Sequence, residues 1–246
     1  MRAIPERQPQ DFADILCGAE LPLMVGGQAV NLWAAVYGPA LPALESFEPF
    51  VSKDADIFGT RALAEQLARR AGWELHFDPQ RDSIVAAILR KRQVADEPPL
   101  TIEVLSQVNG LTEADLAINT VVESVAKYSF RIPAPPVLLK AKLYNLASLV
   151  FTERPQDLKH ARMLCEIVPH YLNELHVESR AGRVAETTFV GAVRYTGEVL
   201  TAGYAGSAAH GRGIDLAHVI SPSIWLTGPS SLQPILARLK KHGFGP

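Results

Sequence analysis

The chain has 246 residues, 48% of them hydrophobic and 20% charged, and its formal net charge at pH 7 is −2. This composition is ordinary for a globular protein with a sizeable core, and the small net charge argues against bulk electrostatic attraction to nucleic acid or to an anionic membrane. The cysteines, Cys17 and Cys165, lie far apart and form no C-x-x-C pair, so neither a disulfide framework nor a thiolate metal site is indicated.

Two strand–helix pairs are predicted in the first third of the chain. The apolar run at 21–25 is typical of a buried strand, Gly26-Gly27 ends it, and the residues that follow have helical periodicity. A second strand is expected at 53–58. The helix after this strand is expected to begin with Thr60 as its N-cap and to stop at Gly72.

Three more strands are expected before the middle of the chain, at 73–77, 83–89 and 100–105. The charged segment between the last two is typical of the long turn of an antiparallel hairpin. Strands and helices in this arrangement predict an α+β fold with a mixed sheet.

The strand signal fades after about residue 111. Residues 112–129 have helix-like stretches with room for a strand, and the Pro-rich segment at 132–136 punctuates the chain. Helical periodicity then dominates as far as residue 200, a loop is expected at 203–223, and a last helix is expected at 229–243. These patterns predict a mixed-sheet domain over residues 1–131 followed by a helical domain over 132–246.

Hydropathy predicts a cytoplasmic protein with no membrane partner. The first residues lack the apolar run of a signal peptide. The apolar segment at 21–44 is broken by Gly and Pro and therefore does not reach membrane-spanning length without interruption.

Carboxylates stand in two of the predicted strands. Asp54 and Asp56 alternate with apolar residues, so they point to the same face of a strand and repel one another unless a cation compensates their charge. Glu103 interrupts the apolar strand at 100–105 on the face opposite Ile102 and Val104, where a charge is costly unless it is paired or coordinates a metal.

A phosphate site is the natural complement of these acids. Gly26-Gly27 follows a strand and opens a helix, where backbone N–H groups and the helix N-terminus favour an anion. Three carboxylates can hold two Mg²⁺ ions roughly 3.5–4 Å apart for an in-line phosphoryl displacement.

Each of these features also has a plainer interpretation. The pair of aspartates is compatible with a solvated strand end or an Asx-type turn, Gly26-Gly27 with a simple tight turn, and Glu103 with an exposed residue of an edge strand. Their occurrence together and in this order favours a functional site.

The order of these motifs resembles that of the nucleotidyltransferase superfamily that includes DNA polymerase beta. Its hallmark is a Gly-Gly or Gly-Ser pair, then a D-h-D motif, then a third acid on a separate strand, and the counterparts here are GGQAV (26–30), SKDAD (52–56) and TIEVL (101–105). The resemblance implies a nucleotidyltransferase-like sheet domain in the first half of the chain.

Within the superfamily, the likeness is greatest to the minimal and abortive-infection (AbiEii-type) toxin branch. That branch carries a Lys-rich helix and then an R-x-K-D-x-x-D-x-x-x-L motif, and the counterparts here are LLKAKLYNL (138–146) and RPQDLKHARML (154–164). The resemblance covers roughly residues 20–170.

The resemblance also implies roles for individual residues. Gly26 and Gly27 would contact the triphosphate of an NTP, and Asp54 and Asp56 would hold two Mg²⁺ ions. The third acid, Glu103, would be a metal ligand or the base that activates the attacking hydroxyl. In the helical part, Lys140 or Lys142 would lie near the nucleotide and Asp157 would stand in the downstream motif.

The implied reaction is Mg²⁺-dependent transfer of a nucleoside monophosphate from an NTP to a hydroxyl of RNA, a protein or a small molecule. A toxin–antitoxin relation would add a cognate antitoxin or a second copy of the chain as a partner.

Departures from the family pattern support a second hypothesis. The third acid is Glu103 where Asp is usual, Gln156 stands for the Lys of the downstream motif, and His160 stands for its second Asp. In this hypothesis the chain is a catalytically decayed nucleotidyltransferase-fold protein that binds a nucleotide or a partner without turnover.

Overall fold

The computed structural model describes residues 6–18, 20–77, 84–93, 97–148 and 154–245. It is a mixed α/β structure that divides into two compact units, residues 1–138 and 139–246. The sequence placed this division at 131/132, whereas the observed division falls inside the helix Pro135–Ser148. Ser83, the first residue of the strand predicted at 83–89, and residues 149–151, which the sequence placed in the helical segment, lie outside the described ranges.

The first unit is built on a mixed sheet that has seven strands in the described part of the chain. The strand order is β3-β4-β5-β2-β1-β7-β6. The pairs β2–β5 and β1–β7 are parallel, and the other neighbours are antiparallel. The strands are β1 Leu23–Val25, β2 Ala55–Phe58, β3 Glu74–His76, β4 Val85–Lys91, β5 Leu100–Leu105, β6 Thr120–Val125 and β7 Tyr128–Pro133.

Helices connect and cover these strands. Those of the first unit are α1 Ala13–Leu16, α2 Gly26–Tyr37, α3 Arg61–Ala71 and α4 Glu113–Ile118, and α5 Pro135–Ser148 leads into the second unit. The predicted limits of α3 are confirmed, because the Thr60 hydroxyl accepts a hydrogen bond from the Leu63 N–H at 3.3 Å and Gly72 adopts the left-handed conformation at φ 71°.

The hairpin formed by β6 and β7 lies in the segment where the strand signal was weak. Its turn contains Ala126 at φ 54°, a conformation that Gly or Asn adopts more easily, so the usual turn residues are absent. Because β6 is an edge strand with exposed and half-buried positions, its apolar pattern is also weak. The sequence therefore did not resolve this hairpin.

The second unit is helical in its described part. After α5 come α6 Pro155–Arg180, α7 Glu186–Thr201, α8 Gly203–Ala209, α9 Pro222–Thr227 and α10 Gln233–Lys241. The prediction of a loop at 203–223 is partly wrong, because α8 and the start of α9 lie there. Helix α8 was missed because it is short and rich in Gly and Ala, so it gives little periodic signal. Across the described ranges, no helix combines the length and apolarity needed to span a membrane.

Candidate functional site

The three central strands bring two of the predicted acids side by side. Asp56 on β2 is the register partner of Val25 on antiparallel β1 and of Glu103 on parallel β5. Neighbouring strands lie about 4.8 Å apart, so the side chains of Asp56 and Glu103 leave the same face of the sheet as neighbours. We call this the carboxylate face.

The opposite face of the same strands explains why the acids are held there. Ile57, Ile102 and Val104 alternate with the acids and are fully buried. Helix α2 packs against β1 and β2, which places this apolar face in the core of the unit. Burial of the apolar face therefore fixes which way the carboxylates point.

The glycine pair lies against one of these carboxylates. Helix α2 begins at Gly26, whose φ is 69°, and the N-cap residue Val25 offers no side-chain acceptor to the first turn. A Cβ atom placed on Gly26 would lie 1.9 Å from Asp56 Oδ2. The strand–Gly-Gly–helix turn and the D-x-D motif, which are separated in sequence, thus form one structural feature.

Asp54 is the remaining predicted acid and lies at the N-terminal end of β2. It lies just before the strand, which begins at Ala55, rather than inside it as the sequence predicted. Burial raises the pKa of Asp54. The pKa of Glu103 is raised by burial and then by the charge of Asp54. All three predicted acids are half-buried, and the negative charge of Asp54 acts on Glu103.

This donor set suits a hard cation. Three carboxylate groups are oxygen ligands of the kind that Mg²⁺ prefers, and their mutual repulsion is the term that a bound divalent cation would offset. As they stand, however, no three His, Cys, Asp or Glu side chains in the described ranges are arranged so that they could hold a metal ion.

The predicted lysines lie in the second unit and have partners within it. Lys142 is buried, and its Nζ donates to Asp157 Oδ1 at 2.7 Å. Lys140 Nζ lies 5.6 Å from the centroid of the Tyr195 ring. Burial would raise the pKa of Asp157, but Lys142 and Arg154 outweigh it and lower that pKa.

Two residues of the motif segments to which the sequence gave no individual role complete the cluster around Asp157. Arg154 Nη1 donates to Asp157 Oδ2 at 3.1 Å, and Asn145 Nδ2 donates to the same atom at 3.4 Å. The i,i+3 spacing of Arg154 and Asp157 was a usable signal for the ion pair. Asn145 lies in the segment that resembles the Lys-rich helix, but its residue type gave no signal of this contact.

His160 occupies the position of the second acid of the downstream motif and is buried next to this cluster. Among the described residues, neither of its ring nitrogens has a hydrogen-bond partner. Burial, and then the charge of Lys142, lower its pKa to about 3. The imidazole is therefore neutral at physiological pH, so this position carries no charge where the motif has a carboxylate.

No family model, curated protein or solved structure matches the chain. The features of the chain that bear on function are the geometry of the carboxylate face and the motifs that it unites.

Proposed function

We propose that the chain is a Mg²⁺-dependent nucleotidyltransferase that moves a nucleoside monophosphate from an NTP to a hydroxyl acceptor. The observation that supports this most is the contact between the glycine turn and the D-x-D motif, with Glu103 in register beside Asp56. A phosphate-binding turn and a cluster of acids at one place are what phosphoryl transfer requires.

The position of each residue indicates the role that it would have in this reaction. The backbone at Gly26 and Gly27 would bind the β- and γ-phosphates at the start of α2. Asp54 and Asp56 would hold Mg²⁺, which when bound neutralises charge on the phosphates. Glu103, whose pKa is raised by burial and by Asp54, would accept the proton of the attacking hydroxyl.

On the motifs alone, we assign the first unit to the nucleotidyltransferase fold of the DNA polymerase beta superfamily. On the same basis we assign the chain to the AbiEii-type branch, with an antitoxin or a second copy of the chain as its partner. The contact of Lys140 or Lys142 with the nucleotide stays a prediction. Lys142 is buried and already has Asp157 as its counterion, so its charge is compensated without a nucleotide phosphate.

Two observations favour the decayed alternative, a protein that binds a nucleotide or a partner without turnover. His160 is neutral and buried where the motif has an acid, and the motif's Lys is replaced by exposed Gln156. These two departures lie in the second unit, and the third, Glu103 in place of the usual Asp, lies on the carboxylate face.

The test is Mg²⁺-dependent NTP binding and pyrophosphate release by the wild type and by the Asp54→Asn/Asp56→Asn variant. We expect the wild type to bind an NTP only with Mg²⁺ and the variant to bind at least about tenfold more weakly. Glu65→Gln, an exposed change on α3, is the control and should behave as the wild type. Wild-type binding that ignores Mg²⁺ or survives in the double variant would refute the proposed site.

A single further variant separates the two functions. Glu103→Gln removes the proposed base, so in an active enzyme it should abolish pyrophosphate release and leave NTP binding nearly intact. If the wild type binds Mg²⁺–NTP yet releases no pyrophosphate with any acceptor class supplied, the binding-module function is favoured.

A further inference from the structure

A cavity of about 580 Å³ lies in the first unit, where β1 begins and β2 ends. Its wall includes the apolar side chains of Leu23, Phe58, Leu63 and Leu116, which come from β1, β2, α3 and α4 respectively. A volume of this size is in the usual range for a site that binds a small molecule.

The cavity and the acids are connected through two strands. Phe58 follows Asp56 by two residues on β2, so it leaves the same face about 7 Å further along the strand. Leu23 is the register partner of Phe58, as Val25 is of Asp56. The glycine turn lies beyond Val25, and the cavity therefore lies toward the opposite end of these strands.

This order matters because phosphoryl transfer is an in-line displacement. The attacking oxygen must approach the α-phosphorus from the side opposite the leaving pyrophosphate. If the β- and γ-phosphates are bound at Gly26-Gly27 and the α-phosphate at Asp56, the attacking hydroxyl comes from the direction of Phe58 and Leu23. The cavity stands on that side.

We propose that this cavity binds the acceptor, and that the acceptor is a small alcohol or phenol with an apolar body and no phosphate group. This inference rests on the proposed function and deepens it by choosing among the acceptor classes. Six of the fourteen lining residues are Leu or Phe, and their side chains favour an apolar body.

The charges around the cavity oppose an anionic acceptor. Glu20 and Glu113 line it together with one cation, Arg131, so the lining carries more negative than positive charge. An RNA backbone needs several cations to neutralise its phosphates. A neutral acceptor meets no such repulsion.

The proposed reaction transfers a nucleoside monophosphate to the acceptor oxygen. The acceptor oxygen forms a bond to the α-phosphorus, the bond from that phosphorus to the bridging oxygen breaks, and pyrophosphate leaves with the bonding electrons. The hydroxyl proton passes to the carboxylate of Glu103. The products are the nucleotidylated acceptor and pyrophosphate.

The binding test uses two probes with the same apolar body, naphthol and naphthyl phosphate. We expect naphthol to perturb the methyl NMR signals of Leu23, Leu63 and Leu116, and naphthyl phosphate to do so at least about tenfold more weakly. Equal perturbation by both probes, or none by naphthol, overturns the inference.

Two alanines of α4 supply a matched pair of variants. Ala117 lines the cavity and is exposed, whereas Ala114 is exposed on the same helix and is not part of the lining. Ala117→Phe should abolish the naphthol response without changing the affinity for Mg²⁺–NTP. Ala114→Phe should change neither. A naphthol response that survives in Ala117→Phe overturns the assignment of the cavity.

Transfer from an α-labelled NTP, with naphthol and purified tRNA supplied in parallel, completes the test. Label on naphthol that is lost in Ala117→Phe supports the inference, and label on tRNA that is retained in that variant overturns it. Failure of the wild type to bind Mg²⁺–NTP overturns the proposed function and the acceptor role with it. Intact NTP binding without a naphthol response overturns the acceptor assignment alone.

Discussion

Gly26 and Asp56 are packed so closely that the carboxylate occupies the space that a side chain on residue 26 would need. The backbone of Gly26 is in the left-handed region at φ 69°, and a Cβ atom there would come within 1.9 Å of Asp56 Oδ2. Conformation and contact therefore both require glycine at this position.

Gly26→Ala should weaken both the fold and the site. We expect the free energy of unfolding to fall by about 1–3 kcal/mol, because the alanine adopts a strained φ and displaces Asp56. Gly72→Ala is the matched control, since Gly72 has φ 71° and no atom near its Cβ position. It should lose about 1 kcal/mol and leave Mg²⁺–NTP binding unchanged. Urea unfolding and nucleotide titration measure the two effects.

The acids of the carboxylate face should reduce the stability of the free protein. Burial and Asp54 raise the pKa of Glu103 in the folded state, so folding favours its protonated form. The contribution of Glu103 to the free energy of unfolding is therefore greatest at low pH. It is lost as pH rises from the pKa of this side chain in the unfolded chain through its higher pKa in the folded protein. Glu103→Gln should raise Tm at pH 7 and leave it nearly unchanged at pH 4, measured by thermal unfolding.

Mg²⁺ provides the complementary measurement. In the wild type it should raise Tm, because a cation among the acids offsets their repulsion. The rise should be much smaller in Asp54→Asn/Asp56→Asn and unaltered in Glu65→Gln. An equal rise in all three proteins would place the effect of Mg²⁺ elsewhere.

The buried pair of Lys142 and Asp157 should be a main support of the second unit. Asp157→Asn leaves the Lys142 ammonium buried without its counterion, which costs about 3–5 kcal/mol. Lys142→Met should cost less, because Arg154 continues to pair with Asp157. A double-mutant cycle by urea unfolding should give a coupling free energy above about 1 kcal/mol, and additive losses would contradict the pairing.

His160 should set part of the acid sensitivity of the second unit. The pKa of His160 falls from 6.5 to about 3 on folding. As pH falls below 6.5, the unfolded chain therefore binds a proton that the folded protein does not, so the stability present above pH 6.5 is lost progressively toward pH 3. His160→Leu should move the midpoint of acid unfolding to lower pH. The exposed His170 gives the control His170→Leu, which should leave that midpoint in place.

The sequence predicted those elements whose signals are local. Helix α3 was found because a capping Thr60, an apolar period and Gly72 all lie within one segment. The residue types of the carboxylate face were found for the same reason. Their arrangement was not, because it depends on the pairing of β2 with β1 and β5, strands far apart in sequence whose register the residues alone do not give.

Other features depend on contacts that a linear pattern does not encode. The pairing of β7 with β1 joins Arg131 to Leu23 across the first unit. In the second unit, Lys142 was singled out through the resemblance to the family's Lys-rich helix. Its burial against Asp157 results from the packing of α5 and α6, and residue spacing gives no measure of that burial.

The alternation of β2 and β5 has a consequence for how the site can evolve. A shift of either strand by one residue relative to its neighbour would turn Ile57 or Ile102 toward water and drive a carboxylate into the apolar interior. Any sequence that keeps the hydrophobic side of these strands thus keeps the acids in register, whatever happens to their chemistry. The positions of the acids are therefore inherited with the core, so a lineage could lose these carboxylates and recover them by single substitutions without rebuilding the scaffold.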